Sequence, residues 1–238
     1  MNDEKRIARI VNDKDYNSPS VFLPENLLRE ARRQKGLSQC SVPEICVLDP
    51  DGDFADFFLE KGKAKKNDCW ACYHSISLIL YELMIMKSVS LHELSGSSYA
   101  VLVAEQLFVS GCKYLISVTS AGIIIPPSSN KRFALIIHAI RDEGTSYHYL
   151  PEDRDSTIRT DVLEKLDQHC EDDNCPWFHA TSWTTDAPYR ETEKAISAMK
   201  KERVTCVEME AAGLYAFAQA ANKNVICFAH LHKYHGTN

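Results

Sequence analysis

Two carboxylates bracket a methionine in Glu208-Met209-Glu210, where a β-branched run at 204–207 gives way to an alanine-rich segment reaching about residue 221. Both acids therefore fall at or beside a helix N-terminus, where the macrodipole favours their ionised form by about 0.3–1 kcal/mol. An ionised carboxylate accepts hydrogen bonds only and can take two at once, which matches a vicinal diol such as a ribose presents. Met209 between them offers a soft apolar surface for a sugar face or a base edge. The same residues also read as an ordinary helix start carrying acids for capping and dipole reasons, and the local pattern leaves both readings open. A second group, Thr119-Ser120-Ala121-Gly122, follows an apolar stretch. Its hydroxyls and the backbone N–H groups of a small-residue turn suit an anion. A strand-end turn satisfied by its own hydroxyls is the alternative.

Metal and redox chemistry have their own candidates. Cys69 and Cys72 form a C-x-x-C pair with His74 nearby, and His169 and His179 flank Cys170 and Cys175. Two such pairs could make a tetrahedral zinc site. The second spacing is loose, however, and the first follows a lysine-rich loop rather than a strand. No metal is expected, and Cys69 and Cys72 are expected as free thiols. Nine cysteines without an evident secretory signal fit reduced thiols better than a disulfide framework. His230, His232 and His235 read as a polar tail.

The elements that must position these groups follow from hydrophobic periodicity. Residues 1–20 are polar and aperiodic, an extended arm. Pro24 opens a helix that Gly36 ends. A short strand at 45–48 is cut off by Asp49-Pro50-Asp51-Gly52-Asp53, whose composition is that of a turn. The run 61–66 reads as a solvated lysine loop. Beyond it come a helix at 97–109, strands at 114–119 and 133–140, helices at 158–168 and 189–200, a strand at 204–207, a helix at 210–221 and a strand at 225–229. Apolar strands alternating with helices predict an α/β sheet covered on both faces. No linker or internal repeat divides the 238 residues, so a single domain over 1–238 is expected.

Composition narrows the partners. A net charge of −6 argues against generic binding to nucleic acid or to an anionic membrane. The longest apolar stretch, 76–86, falls well short of the ~20 residues needed to cross a bilayer. The first six residues lack the apolar core of a signal peptide. A cytoplasmic protein is expected.

Three segments together resemble the purine nucleoside phosphorylase and uridine phosphorylase family: Val207–Tyr215 with its Glu-Met-Glu-Ala-Ala core, Gly111–Ile123, and Arg141-Asp142-Glu143-Gly144-Thr145-Ser146-Tyr147-His148-Tyr149. The third looks most like the uridine-type branch. The resemblance implies a three-layer fold with a mixed, partly barrel-like central sheet flanked by helices. It implies phosphorolysis of a nucleoside to free base and ribose 1-phosphate, with phosphate as co-substrate and no organic cofactor. Glu210 would clamp the ribose hydroxyls, Met209 would pack on the sugar, and Glu208 would support the site. Thr119, Ser120 and Gly122 would contact phosphate, and Arg190 in the loop 184–190 would stand near the base. The family assembles as dimers or hexamers of dimers, so a homodimer or higher homo-oligomer is implied.

The chain departs from the family at four points. Ser117 stands where a phosphate-gripping arginine is usual, and Ser cannot supply a bidentate fork. The N-terminal phosphate loop is reduced at best to Leu23-Pro24-Glu25-Asn26, with Arg29 as a substitute. His230-Leu231-His232-Lys233 replaces the acidic residue of purine-specific members. The sequence ends at Asn238, before the family's usual C-terminal helix. These departures keep a hydrolytic nucleosidase and an inactive member as alternatives. Capping of the following helix by Asp186 is an alternative account of the segment containing Arg190.

Overall fold

The computed structural model describes residues 8–12, 14–67, 70–71, 78–83, 86–91, 95–127, 130–170 and 175–232. The expectations for Cys69, Cys72, His74 and His235 lie outside the described residues. Helices are α1 (Pro24–Lys35), α2 (Asp53–Glu60), α3 (Ser97–Val109), α4 (Thr160–Gln168), α5 (Glu193–Lys201) and α6 (Ala211–Ala220). Strands are β1 (Ile45–Leu48), β2 (Ala64–Lys66), β3 (Leu78–Leu83), β4 (Met86–Leu91), β5 (Tyr114–Ile123), β6 (Phe133–Asp142), β7 (Ser156–Thr157), β8 (Trp177–Thr185), β9 (Cys206–Glu208) and β10 (Asn224–His232).

Five of these strands close on themselves. β5 and β10 pair in parallel, β10 and β6 antiparallel, β6 and β8 in parallel, and β8 and β9 in parallel. β9 then returns antiparallel to β5 through Gly122↔Val207 and Ile123↔Cys206. The result is the mixed, barrel-like sheet of an α/β fold, with β1 added outside β5 and β7 outside β6. Strands β2, β3 and β4 form a separate antiparallel sheet.

Helices α3 and α6 carry apolar residues around nearly their whole circumference, as helices enclosed by other elements must. Leu107, Leu214, Tyr215 and Phe217 pack with Leu115, Leu135 and Ile136 of the sheet in the main core. A second cluster, Trp183, Val204 and Val207, is covered by Ala195, Ile196 and Met199 of α5. The two central helices meet at their N-termini because residue 213 is glycine. A Cβ there would stand 2.7 Å from the Ser97 Cβ, closer than two carbons pack. That proximity lets the Ser97 hydroxyl donate to the Met209 carbonyl at 3.0 Å.

Several boundaries differ from the sequence reading. β5 runs on to Ile123, so Thr119–Gly122 is strand, not a turn: Ala121 faces Leu231, and Gly122 faces both His232 and Val207. Small residues suit this position because a strand there has neighbours on both sides. β8 was not anticipated, since its sequence mixes Trp, Phe and His with Thr and Ser. The lysine run 61–66 ends in β2 rather than staying a loop. The helix expected at 189–200 is a short turn, Pro188–Arg190, followed by α5, whose cap is Thr192 accepting from the Ala195 N–H at 3.2 Å. Asp186 does not cap it; its carboxylate accepts from the Gly144 N–H at 2.8 Å. Among the described residues no helix is long and apolar enough to cross a membrane.

Candidate functional site

The end of β9, the start of α6, and the ends of β5, β8 and β10 converge on one cleft of about 500 Å³. Glu208, Met209, Glu210, Thr119, Ser120 and Gly122 all line it, together with Ser95, Asp51, Asp53, Thr185, Glu191 and His232. Arg190 does not. It is exposed in the Pro188–Arg190 turn, of which Pro188, together with the following Glu191, reaches the cleft instead.

Glu208 is fixed first. One carboxylate oxygen accepts from the Thr184 hydroxyl at 2.5 Å, and the other accepts from the Glu210 and Ala211 N–H groups, each at 2.7 Å. The Thr184 hydroxyl itself accepts from the Ala212 N–H at 3.0 Å. Its proton is therefore free for Glu208, and the side chain serves as the cap that α6 otherwise lacks. Both Glu208 oxygens are thus engaged by the chain's own donors at the floor of the cleft.

Glu210 is held differently. One oxygen accepts from the Gly96 N–H at 2.7 Å; the other accepts from the Thr119 hydroxyl at 3.1 Å and the Met209 N–H at 3.4 Å. Gly96 adopts φ +108°, a conformation that side chains rarely reach, and this aims its N–H at the carboxylate. A carboxylate has about four acceptor positions, so three internal donors leave room for one hydroxyl from a bound sugar rather than two.

Burial also reverses an electrostatic expectation. The helix dipole favours ionised acids here by only about 0.3–1 kcal/mol. Loss of hydration pushes the Glu210 carboxyl up to about 7, with the neighbouring Glu208 acting in the same direction. Burial raises Glu208 as well, against the pull of the hydrogen bonds it accepts. Burial thus favours the protonated form of both members of the pair, and both line the cleft.

Asp51 was missed by the sequence reading. Asp49 accepts from the Phe54 and Ala55 N–H groups at 3.0 and 3.1 Å and so caps α2, while Gly52 turns the chain at φ +83°. The loop after β1 is thereby directed over the end of β5. There Asp51 accepts from the Ser120 N–H at 2.6 Å and from the Ser120 hydroxyl at 3.0 Å. A carboxylate of the chain itself sits on the donors expected to meet an external anion. The signal was present in Asp49-Pro50-Asp51-Gly52-Asp53, but turn chemistry explained every residue of it. The remnant proposed at Leu23-Pro24-Glu25-Asn26 instead begins α1 and lies away from the cleft. Ser117 is buried in β5, with its hydroxyl unpartnered.

The segment 141–149 organises a loop. The Arg141 guanidinium donates to the Ser146 hydroxyl and to the carbonyls of Leu150, Pro151 and Arg154, and it stacks 4.2 Å from the Tyr147 ring centroid. Glu143 accepts from the Thr145 and Ser146 N–H groups. None of these groups lines the cleft.

The cysteine expectation needs correction. Cys170 and Cys175 are joined in a disulfide, with Cα atoms 5.3 Å apart, and Cys40 is also disulfide-bonded. Cys46, Cys112, Cys206 and Cys227 are buried free thiols. No group of three or more metal-ligating side chains is assembled among the described residues.

The closed mixed sheet between helices is the α/β fold of solved uridine phosphorylase and AMP nucleosidase structures. The phosphorylase superfamily model matches residues 43–236, and the chain belongs to that superfamily. Uridine phosphorylase from Vibrio fischeri, solved with 6-hydroxy-1-naphthoic acid, superposes with a TM-score of 0.70 at 14% identity over 87% of each chain. AMP nucleosidase from Bacteroides thetaiotaomicron gives 0.71 at 20% identity, covering 87% of this chain and 89% of its own. Both likenesses concern the fold. An uncharacterized protein of Acanthamoeba polyphaga mimivirus is 26% identical over 156 residues, which is 66% of this chain and 60% of that protein.

Proposed function

We propose that the chain cleaves the N-glycosidic bond of a ribonucleoside with water as the acceptor, giving free base and ribose. The observation that carries this reading is the Asp51 carboxylate on both Ser120 donors. An anionic co-substrate would have to displace it or lie against it, whereas a water molecule finds in it a proton acceptor. This favours hydrolysis over the phosphorolysis that the sequence resemblance implies. Departure of the base leaves cationic character on the ribose, as in glycoside hydrolysis. Glu210 stabilises that charge when ionised and orients the sugar through its remaining acceptor position. Water attacks the anomeric carbon, its proton passes to Asp51, and the bonding electrons leave with the base nitrogen, which takes a proton from solvent.

Uridine as the preferred nucleoside rests on the likeness of the segment 141–149 and on His230-Leu231-His232-Lys233 in place of a purine-type acid. Arg141 and Glu143 bond within their own loop rather than line the cleft, so a uridine-type base stays the favoured substrate on the second ground. Assembly as a homodimer or larger homo-oligomer remains part of the proposal, supported by the exposed apolar run Val21, Phe22 and Leu23. The test is incubation with uridine, inosine, adenosine and adenosine 5′-monophosphate in phosphate-free buffer, followed by chromatography of free bases. Release of a base from at least one of them is expected. Intact substrates throughout would reject the reading.

A further inference from the structure

A second cavity, of about 620 Å³, lies between α1, the loop after it and the C-terminal end of α3. Its size falls within the range of small-molecule sites. It is separate from the cleft: Ser110 marks one end of α3 and Gly96 the other, about 20 Å apart at 1.5 Å per residue.

The polar groups of this cavity are mostly donors. Arg29 and Arg32 stand three residues apart on α1, hence on one helix face. Arg29 gives one N–H to Asn26 at 2.9 Å and keeps its others. The Arg32 Nε–H is buried with no acceptor. Across the cavity Ser110, 8% exposed, also has an unpartnered hydroxyl. Buried donors without acceptors are uncommon in folded proteins because each loses its hydration without replacement. Leu37 and Val109 add apolar wall, and among the described residues Glu25 is the single acidic group in the lining.

We propose that this cavity binds a small organic oxyanion, a carboxylate or phosphate monoester on a compact apolar body. The anionic group would lie on the Arg29 and Arg32 guanidiniums and accept from the Ser110 hydroxyl, with the body against Leu37 and Val109. Guanidinium provides the planar fork that such groups match. Two cations outweigh the one carboxylate at Glu25.

Calorimetric titration with benzoate, phenyl phosphate and inorganic phosphate tests this. Saturable binding of benzoate or phenyl phosphate is expected at millimolar concentration, and the stronger of the two tells which anionic group is preferred. Arg32→Gln should weaken it about tenfold or more, as loss of a charge-assisted bond does. Arg32→Lys, which keeps the charge and protects the fold, should weaken it less. Arg33→Gln should leave it unchanged, because Arg33 pairs with Glu30 outside the cavity. No saturable binding by either organic probe, equal loss with Arg33→Gln, or inorganic phosphate binding as tightly as phenyl phosphate would each overturn the proposal.

Discussion

Glu210→Gln keeps the size of the side chain and removes its charge, with separable effects on folding and on catalysis. The amide oxygen can retain the Gly96 N–H, and the amide nitrogen can donate to the Thr119 hydroxyl, which is free to rotate; only the long contact from Met209 is lost. Folding should therefore survive, with a stability difference that depends on pH. The wild-type carboxyl rises from 4.5 in the unfolded chain to about 7 in the folded one. The folded state then binds the proton more tightly, so stability is fully present below about 4.5 and is lost as pH rises through about 7. The loss amounts to about 3 kcal/mol at 1.36 kcal/mol per pH unit. The variant has no such group, so its melting temperature relative to wild type should climb by roughly 5–10 °C between pH 5 and pH 8. Catalysis moves the other way. Losing one charge-assisted bond to a ribose hydroxyl costs about 1.5–3 kcal/mol, so kcat/KM should fall about ten- to a few hundred-fold. Differential scanning fluorimetry across pH and steady-state base release read the two effects. A melting difference flat in pH, or a variant as active as wild type, would refute the reasoning.

Gly213→Ala places a Cβ 2.7 Å from that of Ser97, and overpacking of this kind costs about 1–3 kcal/mol; chemical denaturation should show the loss, and base release should fall with it as Gly96 is pushed off Glu210. Asp51→Asn removes the water-activating carboxylate from Ser120, so kcat should fall while KM for the nucleoside changes little, as steady-state kinetics will show. The same variant should gain sulfate or phosphate binding by calorimetry, since a repelling charge is gone. Replacing both Cys170 and Cys175 with serine should lower stability by about 2 kcal/mol, the chain-entropy value for a loop this short, and should leave base release unaffected.

The core of the site is legible in the sequence because its signals are local. Glu208 and Glu210 sit where a β-branched strand meets an alanine-rich helix, so type and spacing alone placed them together. Apolar runs likewise announced β5, β6, β10 and the central helices. What stayed hidden depends on contacts distant in the chain. Asp51 meets Ser120 across 69 positions, and nothing within Asp49-Pro50-Asp51-Gly52-Asp53 asks for a partner. Ala121 and Gly122 read as a turn because small residues favour turns; their strand conformation comes from the barrel closing around them through β9 and β10. β8 escaped notice for a related reason, since Thr184 is required for its bonds with Glu208 and Ala212 rather than for hydrophobicity. The raised Glu210 carboxyl was equally out of reach, because burial is a property of the folded chain.

The central claim, that this cleft transfers ribose to water, is tested most directly by ³¹P nuclear magnetic resonance of a turnover mixture containing both a cleaved nucleoside and excess phosphate. Free base should accumulate at a rate independent of phosphate while no ribose 1-phosphate resonance appears. A ribose 1-phosphate signal growing in step with the free base would contradict the claim.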